Sequence, residues 1–204
     1  TYIRTKSIGV SAELEVGVDL VAIGASSNYE LQLQVVDAAG KTVASQTQKL
    51  VLGKKQTNSL RTTISVAEPK LWSVEHPNLY RLFATLKQGE VTVDEERIAF
   101  GIRTFKFDKD KGFFLNGKHV LLKGTCNHQD HAGVGVAIPD RLFEWRIRRL
   151  KSIGSNAYRC SHNPPAKELL DACDRLGMIV MDETRHLGDT EKAKAPLSTG
   201  YSDL

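Results

Sequence analysis

Cysteine is scarce in this 204-residue sequence: there are three, at positions 126, 160 and 173. So odd and sparse a set cannot build a disulfide framework, and the three are read as reduced thiols. Tryptophan and methionine occur twice each and proline only six times, which excludes collagen-like and Pro-rich low-complexity chains. No apolar run approaches the ~20 residues of a membrane helix, so no membrane partner is expected. Thr1–Gly9 lacks the basic and apolar segments of a secretory signal, and the compartment stays open between cytoplasm and periplasm. Neither charge sign dominates: 28 basic against 24 acidic residues give +4. Without a basic cluster interleaved with aromatics, nucleic acid is not expected as a partner. With 41% hydrophobic and 25% charged residues, the chain has an ordinary globular composition.

From about Ser11 to Thr104 the hydrophobic period is two. Leu14, Val16, Val18 and Leu20 alternate with Glu13, Glu15, Gly17 and Asp19, and Leu31, Leu33 and Val35 repeat the pattern. Thr42–Leu52, Leu60–Val66, Leu79–Leu86 and Val91–Phe100 are further candidate strands, with turn signals at Gly24–Asn28, Asp37–Gly40, Gly53, Glu68-Pro69 and Gln88-Gly89. Short amphipathic strands spaced by turns predict a β-sandwich over residues 1–104.

The second half, residues 105–204, has a different grammar. Asn116-Gly117, between Phe113–Leu115 and Lys118–Leu122, is a hairpin signal. Val120–Thr125, Asn156–Cys160 and Met178–Met181 are continuous apolar strands. Between them lie amphipathic helices over Asp140–Ile153, capped by Asp140 and stopped by Gly154, and over Pro164–Leu176, capped by Asn163 and stopped by Gly177. Strand and helix in alternation predict βαβ units of a parallel sheet. A closed eight-stranded barrel needs about 200 residues or more, so this half is read as an incomplete barrel. The overall fold class is multi-domain, a sandwich followed by the first part of a (β/α) barrel.

In such sheets chemistry collects on the loops after the strands. Those loops read Cys126-Asn127-His128-Gln129-Asp130-His131, then Arg159-Cys160-Ser161-His162-Asn163, then Asp182-Glu183-Thr184-Arg185-His186. Four of the six histidines therefore fall on one rim, with carboxylates, guanidinium groups and amides among them. Any single one reads as an ordinary loop residue. Three strands ending alike predict a polar pocket.

These residues also carry a resemblance. The pattern N-x-x-R-x-S-H-x-P over Asn156–Pro164, followed by D-x-x-G-x-x-V-x-D-E over Asp174–Glu183, resembles glycoside hydrolase family 2, as do Leu115–Lys118 and Leu122–His128. Leu71–Tyr80 resembles the immunoglobulin-like domain that precedes the family's barrel, and Asn127–His131 with Asp182–Arg185 is most similar to its bacterial β-galactosidase branch. The resemblance implies an immunoglobulin-like sandwich, a TIM-type barrel and a retaining glycosidase with two glutamates roughly 5–5.5 Å apart. The substrate would be a terminal β-galactoside of carbohydrate metabolism. β-Glucuronidase and β-mannosidase of the same family remain alternatives. No Asn in the sequence is followed by Glu, so the family's acid/base motif is absent. The chain is accordingly expected to be an inactive fragment of a glycosidase, without a catalytic residue of its own.

By the same resemblance His128, Arg159, His162, Asp182, Glu183 and Arg185 form the substrate-side shell. The histidines would meet sugar hydroxyls, Arg159 would act near the nucleophile, and Asp182 and Glu183 would orient neighbours. Leu187 stands where some relatives place a carboxylate metal ligand, so no cofactor or metal is assigned, and magnesium or sodium stays open for an intact parent. Self-association of the fragment and a homo-oligomeric parent are left open. Two other classes compete with this one. A metal hydrolase built on Cys126, His128, His131 and His162 lacks a zinc-type spacing. A non-catalytic carbohydrate-binding or structural module on the sandwich lacks an aromatic platform beyond Trp72 and Tyr80.

Overall fold

Alternation along Ser11–Val21 sends Ala12, Leu14, Val16, Val18 and Leu20 to one face, and all five are buried. That strand, β2, is the centre of a three-stranded sheet between β1 (Tyr2–Ile8) and β5 (Thr57–Ala67). A second sheet has the order β4-β3-β6-β7, from β3 (Ser27–Val36), β4 (Thr42–Leu52), β6 (Tyr80–Gln88) and β7 (Val91–Phe100). Every pairing in both sheets is antiparallel. Leu31, Leu33 and Val35 of β3, Ile64 and Val66 of β5, and Leu82 and Ala84 of β6 close one core with the β2 row. The computed structural model describes residues 1–22, 26–53 and 57–183. Part of the Gly24–Asn28 turn, and Thr184, Arg185, His186 and Leu187, lie outside those residues.

Strand β1 was not anticipated from the sequence. Its side chains are exposed or half-buried in alternation, so no continuous apolar face announces it. The backbone pairing with β2, from Tyr2↔Gly17 to Ile8↔Ala12, is what fixes it. The turn signals at Asp37–Gly40 and Gln88-Gly89 are hairpin tips, joining β3 to β4 and β6 to β7. Asp37 Oδ1 accepts from the backbone N–H of Ala39 and Lys41, both at 2.9 Å, with Gly40 at φ +83°.

A ribbon of β8 (Phe105–Asp108), β9 (Gly112–Leu115) and β10 (Lys118–His119) follows. Its tight turn has Asn116 at φ +51° and Gly117 at φ +77°, the pair of left-handed conformations that Asn-Gly is suited to. Asn116 also holds the ribbon to the sandwich. Its Nδ2 donates to Trp72 O at 3.0 Å, and its Oδ1 accepts from Thr104 N at 3.0 Å. The first compact unit is thus Thr1–Val120, ribbon included, and the second begins at Leu121.

In the second unit β11 (Gly124–His128), β12 (Ala157–Ser161) and β13 (Ile179–Met181) form a parallel sheet in that order. Helices α1 (Asp140–Ser152) and α2 (Lys167–Leu176) pack on one of its faces. Phe143, Ile147, Tyr158, Cys160, Leu169, Ala172, Cys173 and Met178 are the buried core there. The expected strand over Val120–Thr125 begins later, at Gly124. Residues 121–123 are held instead by the Asn156 side chain, which donates to Leu121 O (3.0 Å) and accepts from Lys123 N (2.7 Å).

The helix caps also differ from expectation. Pro139 is the N-cap of α1 and Asp140 its first residue. Helix α2 starts at Lys167 with Ala166 as N-cap, not at Pro164 under an Asn163 cap. Consecutive prolines hold the preceding backbone extended, and the Asn163 amide donates to Pro164 O at 2.7 Å. The Ala166 N–H is taken by Gln129 Oε1 at 2.8 Å, a cap supplied from the loop after β11. Gly177 ends α2 in the left-handed conformation, as expected. Among the described residues no helix is long and apolar enough to cross a membrane.

Two predictions follow from this packing. A Cβ at Gly101 would lie 2.6–2.8 Å from the buried Trp72 side chain, so Gly101→Ala forces that indole to move. Urea unfolding should show the sandwich destabilised by about 1–3 kcal/mol. The second concerns the thiols. Burial pushes Cys160 up to about 11 and Cys173 up to about 12, from an ordinary value of 9.0. Above pH 9 the unfolded chain loses these thiol protons while the folded core keeps them, so stability must fall as pH rises towards 11–12. Denaturation midpoints between pH 8 and 11 measure that fall. Replacing both cysteines by alanine should flatten the dependence.

Candidate functional site

The alternation of β12 sorts its side chains. Tyr158 and Cys160 enter the helix-packed core, leaving Arg159 on the opposite face. Parallel pairing places Cys126 of β11 and Met181 of β13 on either side of Arg159 in one row. His128 pairs with Ser161 two residues further on, so His128, His162 and Glu183 all fall at or just beyond the C-terminal ends of neighbouring strands.

Glu183 is the junction of the cluster. Its Oε2 accepts from Arg159 Nη2 at 3.0 Å, and its carboxylate accepts from His162 Nδ1 at 3.0 and 3.1 Å. A carboxylate accepts only, so His162 carries a proton on Nδ1. The His162 ring meets His128 edge-on, with centroids 5.5 Å apart. Arg159 Nη1 donates to Cys126 Sγ at 3.3 Å. That sulfur first, and the Glu183 charge second, hold the Arg159 guanidinium above its ordinary pKa. Polar donors and acceptors of both kinds thus share one strand-end surface, a set suited to hydroxyl groups of a polar ligand.

Of the expected shell, the structure joins His128, Arg159, His162 and Glu183. Asp182, adjacent in sequence, makes none of these contacts; burial first, and then the charges of Asp182 and Glu183, raise the Cys160 thiol. Arg185 lies outside the described residues. Among the described residues no group of three His, Cys, Asp or Glu side chains could hold a metal ion.

Two supporting residues were missed from the sequence. Arg146 of α1 donates from Nη1 to His128 O (3.0 Å) and to the Tyr158 hydroxyl (3.4 Å), and from Nη2 to Asp130 O (2.6 Å). It clamps the strand end that carries His128. Burial raises the Tyr158 phenol, with the Arg146 hydrogen bond opposing it, so the hydroxyl stays protonated beside the cation. Gln129, capping α2, anchors the same loop from the other end. On a helical sequence Arg146 reads as one solvent-facing cation among Arg141, Arg148 and Arg149. Only the return of the chain reveals its partners.

The class that fold and site define is structural: an antiparallel sandwich followed by the opening of a parallel (β/α) barrel, with a polar cluster at the strand C-termini. The comparisons agree with that class. Residues 1–103 match the family model "Glycosyl hydrolases family 2", and residues 108–198 match "Glycosyl hydrolases family 2, TIM barrel domain". The chain belongs to glycosyl hydrolases family 2.

Among its relatives is the beta-galactosidase BoGH2A of Bacteroides ovatus, 38% identical over 90% of this chain and 22% of that protein. A putative beta-glucuronidase of Formosa agariphila is 35% identical over 98% of this chain and 18% of its own length. A solved family member from Bacteroides cellulosilyticus superposes with a TM-score of 0.87 at 39% identity, covering 90% of this chain and 24% of that one. The beta-glucuronidase of Bacteroides uniformis gives 0.83 at 30% identity, covering 90% and 22%. The chain spans about a fifth of the length of the curated relatives it matches.

The clamp generates a prediction. In Arg146→Met the carbonyls of His128 and Asp130 lose charged donors, while Phe143 and Ile147 still anchor the helix. Amide exchange in the loop 129–131 should accelerate about tenfold or more, with little change in α1.

Proposed function

We propose that this chain is the sandwich and opening barrel segment of a retaining β-galactosidase acting on terminal β-galactosides. The observation that carries the reading is the Glu183-centred cluster, in which one carboxylate orients both Arg159 and His162 beside His128. In this reading the two imidazoles meet hydroxyls of the sugar, and His162 does so through Nε2, since its Nδ1 is committed to Glu183. Arg159, held by Glu183, brings a fixed positive charge near the reacting carboxylates, which favours their ionised forms. Glu183 acts by orientation, not as acid or nucleophile, since both its oxygens are already committed to Arg159 and His162. The acid/base and nucleophile glutamates are supplied outside these residues, so the chain alone is inactive. The domain division near residue 104 belongs to the same reading, as does a substrate-side role for Asp182 and Arg185. No metal enters the steps assigned here.

Support for the galactoside comes from the loop resemblance and from a relative named beta-galactosidase. A second reading, β-glucuronidase, is favoured by relatives that carry that name; β-mannosidase has only the family resemblance. Chromogenic β-galactoside, β-glucuronide and β-mannoside assays on the full-length protein containing this sequence separate the three. Galactoside turnover with retention is the expected result, and the isolated chain should give none. Preference for the glucuronide installs the second reading, and no turnover of any glycoside sinks both. In the active protein Glu183→Gln should lower kcat/KM by about 100-fold through misplacement of Arg159 and His162.

A further inference from the structure

Among the residues that flank His128 and His162 in the chain lies a small cavity of about 10 Å³, the space of a single water molecule. Its polar lining is Asn127, Gln129, Ser161 and Asn163, and Tyr158 and Leu169 close its apolar side. Ser161 is 3% exposed, and its Oγ has no hydrogen-bond partner among the described protein groups. A buried hydroxyl without a partner is costly, and native proteins rarely leave one so. Size, polar lining and an orphaned hydroxyl coincide at one point.

We propose that this cavity is a specific site for one ordered water molecule, held by Ser161 Oγ and the amide side chains around it. The lining offers both signs of partner. Gln129 Oε1 is engaged by Ala166 N, which leaves its NH2 group as the donor on that side chain. Asn163 Nδ2 is engaged by Pro164 O, which leaves Oδ1 as acceptor. With the serine hydroxyl these make three contacts, the usual number for a buried water. The water joins the loop after β11 to the loop after β12, beneath the residues next to His128 and His162. It is therefore a positioning element for the imidazole pair, and the inference stands whether or not the substrate is a galactoside.

A high-resolution crystal structure of the chain, paired with thermal melts of Ser161→Ala, tests it. Expected are a water within hydrogen-bond distance of Ser161 Oγ and an amide side chain of the lining, and a melting temperature about 2–4 °C lower in the variant. A serine without a partner predicts the opposite sign, because alanine would then remove an unsatisfied hydroxyl. An empty cavity, a Ser161 hydroxyl bonded directly to protein, or a melting temperature unchanged or raised in Ser161→Ala overturns the proposal. Should the variant fail to fold, the crystal structure decides alone.

Discussion

Everything at the candidate site depends on one strand, β12, lying between two parallel neighbours. Its alternation has to satisfy two environments at once. Tyr158 and Cys160 bury against α1 and α2, and Arg159 between them is thereby forced to the other face. Parallel register then delivers Cys126 and Met181 to either side of the guanidinium, with His128, His162 and Glu183 at the strand ends beyond. A one-residue slip would turn Arg159 into the helix-packed core, at the cost of an unpaired buried charge. The hydrophobic side of the sheet therefore enforces the polar side.

That constraint also explains the graded order of the site. Glu183 is fixed by two partners, and it fixes them in turn. His128 is held differently, through its backbone: the Arg146 clamp on its carbonyl comes from the helix layer, not from the polar face. Arg146 and Gln129 thus tie the loop after β11 to α1 and α2, so the helices that bury the core also set the loop geometry. The sandwich contributes stability of its own kind, with a closed apolar core independent of these loops.

The resemblance of this chain to both β-galactosidases and β-glucuronidases has a physical reading. In the proposed reading the chain supplies a carboxylate-oriented arginine and an imidazole pair, groups that would serve any pyranose ring. Discrimination between a sugar with a hydroxymethyl group and one with a carboxylate requires a cationic or hydroxyl-binding group at that substituent.

By itself the sequence determined the change from period two to strand–helix alternation, because side-chain periodicity reflects local geometry alone. It likewise determined the Asn116-Gly117 turn, the Gly177 helix stop and the placement of His128, Arg159, His162, Asp182 and Glu183 at or just beyond strand ends. Those are contacts of each residue with its own backbone or with its own strand direction. Only the tertiary structure decided the rest. Strand β1 exists because β2 offers it an edge, and β11 starts at Gly124 because Asn156, 32 positions on, occupies the backbone before it. Glu183 joins the cluster because Arg159 of β12 and His162 just beyond it both reach its carboxylate. Arg146 becomes a clamp because its partners, His128 and Asp130, arrive from another strand end. Each of these is a hydrogen bond or packing contact between segments distant in the chain, and no local pattern encodes the partner of such a bond.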